Sequence, residues 1–142
     1  MRKKKVDHLN LDFEEEFNLF GISTGLADYR LAWEINNKFE LQLLKSEEVL
    51  EIFDKKTKDE HNFYLYHYND EDVQNIYYLI KNKQLNTVLI PEKTNIDYFF
   101  LIRDSGFFES DQTIAKLREI KGVSAVFNFE NEPFDIGPLL TF

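Results

Sequence analysis

The order strand, helix, strand occurs twice along this chain, and this repeated order constrains the fold more than any other feature. In the first unit an acidic and then apolar run, "FEEEFNLFGI" at 13–22, predicts a strand that begins in solvent and enters the core. Ser23 or Thr24 is expected to cap a helix that continues to about Lys38. The run "FELQLL" at 39–44 alternates in polarity, which predicts a second strand.

The closing unit repeats this order with clearer boundaries. "NIDYFFLIRD" at 95–104 predicts one strand, and "VSAVFNFE" at 123–130 predicts another. Between them, Ser110 or Asp111 is expected to cap a helix that Gly122 ends, because glycine readily adopts the backbone conformation found just after a helix. This unit therefore predicts a β-α-β arrangement.

Two such units with hairpins between them predict a single α+β domain spanning residues 1–142. We expect an antiparallel-rich sheet with two main helices packed on one face, a two-layer sandwich to which ferredoxin-like folds are one possible relative. A composition of 43% hydrophobic and 15% aromatic residues is typical of a folded globule. A chain of this length needs no metal or disulfide to fold.

The first helix carries more apolar residues than one sheet face covers. At 100° per residue, the inward side chains of residues 26–39 form one flank, while Tyr29 and Trp33 lie on the next. We expect Tyr29 and Trp33 to pack inside, with exposure toward a partner as the alternative. Arg30 and Glu34 are four residues apart, so they are expected to pair on the solvent side.

The run "HNFYLYHY" at 61–68 alternates as a strand. One face carries His61, Phe63, Leu65 and His67, and the other carries Tyr64, Tyr66 and Tyr68. The tyrosines are expected to be core residues under a covering helix, with a contact ladder for a partner as the alternative.

Two neighbouring stretches are less clear. Ser46 is expected to cap a short helix in which Val49, Leu50 and Phe53 point inward. Residues 69–84 have both helical spacing and strand propensity, and we favour a strand from about residue 76.

The stretch "VLIPEKTNIDYFF" at 88–100 contains two carboxylates between apolar runs, and it predicts a hairpin. A three-residue loop at 93–95 pairs Glu92 with Ile96, Ile90 with Tyr98 and Val88 with Phe100. In this register Asp97 lies opposite Pro91, so Glu92 and Asp97 point to opposite faces of the sheet and share no ligand. An even loop is the alternative, and it places the two acids side by side.

Three segments resemble one known family. They are "IPEKTNIDY" at 90–98, "GISTGLADYRLAWEINNKF" at 21–39 and "YYLIKNKQLNTVLIPE" at 77–92. The first is similar to the signature of the uncharacterised IPExxVDY family of Bacteroidetes-type bacteria, and the resemblance covers most of residues 10–105. This chain has Ile96 in place of the valine of the motif, and three residues instead of two separate Glu92 from Ile96. The resemblance implies no assigned activity.

Composition excludes several classes of function. Seventeen basic and 26 acidic residues give a net charge of −9, which repels phosphate backbones, so no nucleic-acid partner is expected. No run of about 18 apolar residues occurs, so no membrane partner is expected. The start "MRKKKVDHLNLDFEEEF" lacks the apolar stretch of a signal peptide, and the chain has no cysteine. We therefore expect a cytoplasmic protein.

No catalytic motif is recognisable. The chain lacks a Gly-rich phosphate loop, a Gly-x-Ser-x-Gly elbow and a His-Glu-x-x-His motif. His61 and His67 share a strand face but are separated by about 20 Å, which is too far to bind one metal ion. We predict no catalytic residue, no metal and no other cofactor, and the sequence favours a protein without enzymatic activity.

Two functional hypotheses follow. The first is a binding or adaptor protein that meets a basic or amphipathic protein partner, or a second copy of itself, through aromatic surface. The candidate residues are Tyr29, Arg30, Trp33, Tyr64, Tyr66 and Tyr68. The alternative is a small-ligand-binding or enzymatic domain with a cleft formed by Glu92, Asp97, Tyr98 and Arg30. The apolar tail at 129–142 is expected to pack on its own domain, with a docking role as the alternative.

Overall fold

The computed structural model describes residues 18–47, 49–54, 58–84, 87–89, 93, 95–103 and 109–129. The described part contains two helices, α1 (Asp28–Phe39) and α2 (Ser110–Arg118). Its strands are β1 (Asn18–Thr24), β2 (Leu44–Lys45), β3 (Leu50–Asp54), β4 (Asp59–Phe63), β5 (Leu65–Asp70), β6 (Asn75–Lys81), β7 (Lys83–Gln84), β8 (Thr87–Val88), β9 (Tyr98–Arg103) and β10 (Val123–Asn128).

Six strands form the main sheet in the order β10-β1-β9-β6-β5-β2, and every pairing between these neighbours is antiparallel. Strand β1 lies between β9 and β10, which are the two strands that α2 connects. The closing unit is therefore a split β-α-β arrangement, a feature of ferredoxin-like folds. The predicted α+β fold with an antiparallel sheet is confirmed, and a closer relation to ferredoxin-like folds stays a prediction.

The central position of β9 in the sheet explains why its sequence is a continuous apolar run. Five consecutive residues from Tyr98 to Ile102 are buried, because both faces of this strand are covered. Phe100 and Ile102 belong to the core beneath the helices, whereas Phe99 and Leu101 belong to a core on the opposite face. A strand covered on one face alone alternates buried and exposed positions instead.

Both helices pack on the same face of the sheet. Leu31 and Ile35 of α1 and Leu117 of α2 are fully buried in one cluster with sheet residues such as Phe20. The ammonium of Lys38 in α1 lies 2.9 Å from the carboxylate of Glu119, just after α2. The predicted placement of two helices on one face is confirmed.

The opposite face of the sheet is covered by a second apolar cluster. It consists of Phe63, Leu65, Ile80, Leu89, Ile96, Phe99, Leu101 and Phe129. Several of these residues lie in loops or at strand ends, so the sheet is enclosed on both faces without a third helical layer among the described residues.

The predicted strand at 39–44 is wrong over most of its length. Helix α1 continues to Phe39, and Glu40 then adopts a left-handed conformation with φ 57°. The side chain of Asn36 accepts a hydrogen bond from the backbone N–H of Leu43 (2.8 Å) and donates one to its carbonyl (3.2 Å). The segment is therefore a turn, and the alternating burial of Leu41 and Leu43 produces the strand-like pattern without a ladder.

The short helix predicted from Ser46 is also wrong. The backbone N–H of Ser46 donates to the carbonyl of Leu65 (2.9 Å), and Leu50–Asp54 forms strand β3, which pairs antiparallel with β4. The antiparallel ladder between Leu50–Asp54 and Asp59–Phe63 outweighs the capping preference of serine, since capping residues also occur in turns and strand ends.

Helix α1 begins later along the chain, and helix α2 earlier, than the predicted capping residues imply. The N-cap residues are Ala27 and Glu109, neither of which makes a side-chain capping hydrogen bond. Thr24 instead fixes the turn before α1, because its hydroxyl accepts the N–H of Leu26 (3.1 Å) and donates to the carbonyl of Gly122 (2.5 Å). The prediction that Gly122 ends the second helix is wrong, because α2 ends at Arg118 with Glu119 as its C-cap, and Gly122, with φ +101°, lies in the turn before β10.

The predicted strand at 61–68 is interrupted at Tyr64, which separates β4 from β5. The two predicted faces are confirmed, since Phe63 and Leu65 enter the second cluster while Tyr66 and Tyr68 pack against the helix-side core. The strand favoured from about residue 76 is confirmed as β6.

The predicted hairpin at 88–100 is wrong in both registers. Val88 pairs with Lys83 in the small β7–β8 ladder, and β9 pairs with β1 and β6. Tyr98 therefore faces Ile22 and Lys81 instead of Ile90. Long-range pairing of the most apolar strand inside the main sheet buries more surface than a local hairpin at its end. Glu92, Pro91 and the tail at 130–142 lie outside the described residues.

Candidate functional site

One flank of α1 presents large aromatic side chains to solvent. The exposed fraction is 69% for Tyr29 and 54% for Trp33, although the same helix buries Leu31, Ala32 and Ile35. The expectation that they pack inside is wrong, and the alternative of exposure is confirmed. The reason is that Leu31, Ala32 and Ile35 already fill the contact with the sheet, which leaves no room for a second row of side chains.

This flank lies on the side of α1 that is turned away from α2. Tyr29, Trp33 and Asn36 follow the i, i+4, i+7 spacing of one helix side. Asn36 binds the segment that leads to β2, whereas Lys38, on the opposite side of the helix, binds Glu119 next to α2. The exposed aromatics therefore face the β2 edge of the domain.

Arg30 completes the surface. Its guanidinium carbon lies 4.9 Å from the centroid of the Trp33 ring, and its Nη2 lies 2.9 Å from the carboxylate of Glu34. The predicted pairing of Arg30 with Glu34 is confirmed. We call Tyr29, Arg30 and Trp33 the α1 patch; it is a planar cation stacked on an exposed indole beside a phenol.

The tyrosines of β5 do not form an exposed contact ladder. Tyr66 and Tyr68 are partly buried against the helix-side core, and the Tyr68 ring stacks on Tyr77 at 6.1 Å between centroids. Tyr64 differs, since it lies in the break before β5 and is 49% exposed. The expectation that the three tyrosines are core is wrong for Tyr64, while Tyr66 and Tyr68 pack against the core and are partly buried.

A pocket of about 190 Å³ opens beside the start of α1. Three tyrosines, Tyr64, Tyr66 and Tyr98, contribute to its wall. Its remaining lining side chains are Leu79 and the polar residues Asp28, Lys81 and Gln84. We call this the tyrosine pocket. Its residues come from α1, β5, β6, β7, β9 and the break before β5.

Two phenols of the tyrosine pocket, those of Tyr66 and Tyr98, have a pKa above the ordinary value for tyrosine. Burial raises the pKa of Tyr66, and the nearby carboxylate of Asp28, which accepts a hydrogen bond from this phenol, raises it further. Burial also raises the pKa of Tyr98, with smaller contributions from Asp28 and Asp97. The Tyr98 hydroxyl donates to the carbonyl of Leu26 (2.7 Å). Neither phenol ionises near neutral pH.

Gln84 has a structural role in the pocket wall. Its Oε1 accepts the backbone N–H of Tyr64 (2.7 Å), and its Nε2 donates to the carbonyls of Tyr64 (3.0 Å) and Lys81 (2.8 Å). The buried amide therefore joins the break before β5 to the end of β6, and its hydrogen-bonding capacity is used by the backbone.

Asp97 binds the backbone of neighbouring segments and lies near one lysine. Its Oδ2 accepts the backbone N–H of Thr24 (2.8 Å), and its Oδ1 lies 4.0 Å from the ammonium of Lys83. Its own N–H donates to Ile22 and its carbonyl accepts the N–H of Asn82. These bonds tie the start of β9 to the end of β1.

Of the four residues predicted for the small-ligand alternative, the structure describes three, and each of these has different contacts. Tyr98 lines the tyrosine pocket, Asp97 binds the β1 backbone, and Arg30 stacks on Trp33 at the exposed flank of α1. Glu92 lies outside the described residues. Sequence reasoning missed Asp28, Lys81 and Gln84 as pocket residues. The position of Asp28 in the first helical turn was the one local signal, because the other two meet it only through sheet pairing.

Comparisons with known proteins return no match. No protein-family model matches the chain, and neither a curated protein nor a solved structure matches it. Within the described ranges, no three His, Cys, Asp or Glu side chains come close enough to hold a metal ion. No helix in the described part of the chain combines the length and apolar character needed to cross a bilayer.

Proposed function

We propose that this protein is a non-enzymatic binding module that engages a protein partner through the α1 patch. The observation that carries the proposal is the exposure of Tyr29 and Trp33 on one helix flank above a core that is complete without them. A single exposed apolar residue is ordinary, but a tryptophan and a tyrosine at i, i+4 spacing form a contiguous surface.

The residue types of the α1 patch support the proposal. Tryptophan, tyrosine and arginine are the residues most enriched among those that dominate binding energy at protein interfaces. Arg30 is already held over the Trp33 ring and against Glu34 in the free protein, so little side-chain freedom is lost when a partner covers it.

Charge favours a basic partner over a second copy of the chain. Each copy carries a net charge of −9, and two such copies repel each other as they approach. A partner with a basic rim around an apolar centre gains attraction from the same field. The proposal includes a cytoplasmic setting, with which the absence of cysteine is compatible, and membership of the IPExxVDY family.

A capture experiment with matched variants tests the proposal. Wild type, a Tyr29→Ser/Trp33→Ser double variant and a Val73→Ser control are immobilised and exposed to extracts of the source cells. Val73 is 49% exposed in the turn between β5 and β6, so the control removes exposed apolar surface outside the patch. A protein retained by wild type and control is then purified and titrated against each.

Trp33 is the sole tryptophan of the chain, so its fluorescence reports directly on the patch. We expect a shift of its emission to shorter wavelength when wild type or the control binds. By titration calorimetry, which the double variant needs because it lacks tryptophan, we expect a loss of affinity of at least about 30-fold, as is typical of two dominant interface residues. Equal affinity of the double variant and the control contradicts the proposal. Self-association that the double variant alone loses identifies a second copy as the occupant and refutes the basic partner.

A further inference from the structure

We infer that the tyrosine pocket binds a small zwitterion of amino-acid size, with its ammonium group against Asp28 and the tyrosine rings and its carboxylate toward Lys81. The inference is independent of the proposed function. The α1 patch is an exposed helix flank, whereas the pocket lies between the start of α1 and the sheet.

The volume of the pocket restricts the ligand. At about 190 Å³ it is larger than a cavity of about 150 Å³ that holds benzene, and smaller than the roughly 300 Å³ at which pockets for drug-sized molecules begin. A molecule of roughly six to ten non-hydrogen atoms matches this space. Peptides and nucleotides are too large to enter it as a whole.

The hydrogen-bonding groups of the lining leave two charged groups available for a ligand. The amide of Gln84 is used by backbone partners, the Tyr98 hydroxyl is used by Leu26, and the Tyr66 hydroxyl is bonded to Asp28. Among the described lining residues, Asp28 is the one acid and Lys81 the one base. A ligand that carries one charge of each sign matches this lining, because each of its charges meets one of opposite sign.

Asp28 retains capacity to accept a ligand ammonium. Its Oδ1 accepts the backbone N–H of Tyr29 (2.7 Å), and the carboxylate also accepts the Tyr66 phenol. An ionised carboxylate offers about four acceptor positions, so about two remain for a ligand that carries N–H groups, while a methylated ammonium, which has none, is attracted by the charge alone. Its partial burial at the start of a helix keeps these positions close to the pocket wall.

The aromatic wall supports the same end of the ligand. Tyrosine rings attract ammonium groups through their faces, and cages of such rings recognise methylated ammonium ions. In the free protein the ammonium of Lys45 lies 5.0 Å from the centroid of the Tyr64 ring, so the ligand ammonium is assigned to Asp28 and the Tyr66 side of the pocket. A carboxylate at the other end of the ligand then lies toward the exposed ammonium of Lys81.

The test is a titration of the full-length ¹⁵N-labelled chain with three probes followed by NMR. Glycine betaine carries both charges, tetramethylammonium carries the cation alone and acetate the anion alone. We expect saturable shifts with glycine betaine that centre on the pocket residues, binding of tetramethylammonium weaker by about tenfold, and no saturable binding of acetate, because one charge contact is lost with each partial probe. Absence of saturable shifts with glycine betaine overturns the inference.

Two substitutions test the contacts of the ammonium end and of the carboxylate end of the ligand individually. Asp28→Asn is expected to weaken glycine betaine binding at least tenfold, while Lys81→Gln weakens glycine betaine but leaves tetramethylammonium binding unchanged. Asp111→Asn is the matched control, since Asp111 occupies the first turn of α2 and is exposed. Wild-type affinity in Asp28→Asn contradicts the inference. If Asp28→Asn fails to fold, the exposed Lys81 provides the deciding comparison.

Each of the two proposals can be refuted without refuting the other. Trp33→Ser is expected to bind glycine betaine as wild type does, and Lys81→Gln is expected to retain the captured protein partner. A loss of betaine binding in Trp33→Ser contradicts a separate pocket and leaves the α1 patch as a single site for both.

Discussion

Replacing Asp97 by alanine tests whether this carboxylate stabilises the fold. Its Oδ2 is the acceptor for the backbone N–H of Thr24, a residue that is 8% exposed, so the substitution leaves a nearly buried donor without its partner. A hydrogen bond to a charged group contributes about 1.5–3 kcal/mol, and the Asp97 side chain is 35% exposed, which reduces this to about 1–2 kcal/mol. Loss of the 4.0 Å contact with Lys83 adds at most about 0.5 kcal/mol.

The assay is thermal and urea denaturation of the full chain. For a domain of this size each kcal/mol shifts the midpoint by about 2–4 °C, so a loss of about 1–2.5 kcal/mol in Asp97→Ala is expected to lower it by about 2–10 °C. Asp97→Asn keeps an acceptor and is expected to cost less than about 1 kcal/mol. Asp111→Ala, an exposed acid of α2, is the control and should change stability by less than about 0.5 kcal/mol. An unchanged midpoint for Asp97→Ala together with loss of partner or ligand binding refutes a structural role.

Two further predictions concern packing and charge. A Cβ at Gly21 lies 2.6 Å from a phenylalanine ring, so Gly21→Ala is expected to destabilise by about 1–3 kcal/mol, whereas Gly25→Ala meets nothing within 4 Å and should be neutral or stabilise by up to about 1 kcal/mol in urea denaturation. The hydrogen bond from Lys38 lowers the pKa of Glu119, so the stability from this pair is present above the pKa of the unfolded state and lost as pH falls through the lower folded pKa. In an NMR titration Lys38→Met should raise the Glu119 pKa more than Lys116→Met; an equal effect refutes the assignment.

Apolar periodicity predicted the elements whose buried and exposed positions follow from the spacing of residues along the chain. The inward side chains of α1, the inward Leu117 of α2 and the apolar run of β9 all follow from spacing along the chain. The two faces of β5 also follow from a period of two, since Leu65 and Tyr66 enter opposite cores. These elements together were enough to predict the fold class.

Sheet pairing could not be predicted from the same patterns. The stretch at 88–100 reads as a hairpin, yet β9 pairs with β1, some 80 residues earlier in the chain. Local alternation at 39–44 likewise arises from a turn that Asn36 holds through two hydrogen bonds. Local signals favour nearby partners, whereas the burial of both faces of β9 depends on the whole domain.

The candidate sites were likewise predictable only where they depend on spacing along the chain. The spacing of Tyr29 and Trp33 placed them on one helix flank, but their exposure depends on how Leu31 and Ile35 fill the contact with the sheet. The tyrosine pocket is assembled from distant strands, so Lys81 has no local signal that relates it to the first turn of α1. Sequence therefore indicated the surface and not the cavity.

Site-specific photocrosslinking in the source cells tests the proposed binding surface most directly. A photoreactive phenylalanine analogue replaces Tyr29 in one strain and Val73, which is exposed outside the α1 patch, in the other. The account predicts one discrete crosslinked adduct with a basic protein from position 29 and none with that protein from position 73. No adduct at position 29, or the same adduct with equal yield at both positions, contradicts the assignment of the α1 patch as the partner-binding surface.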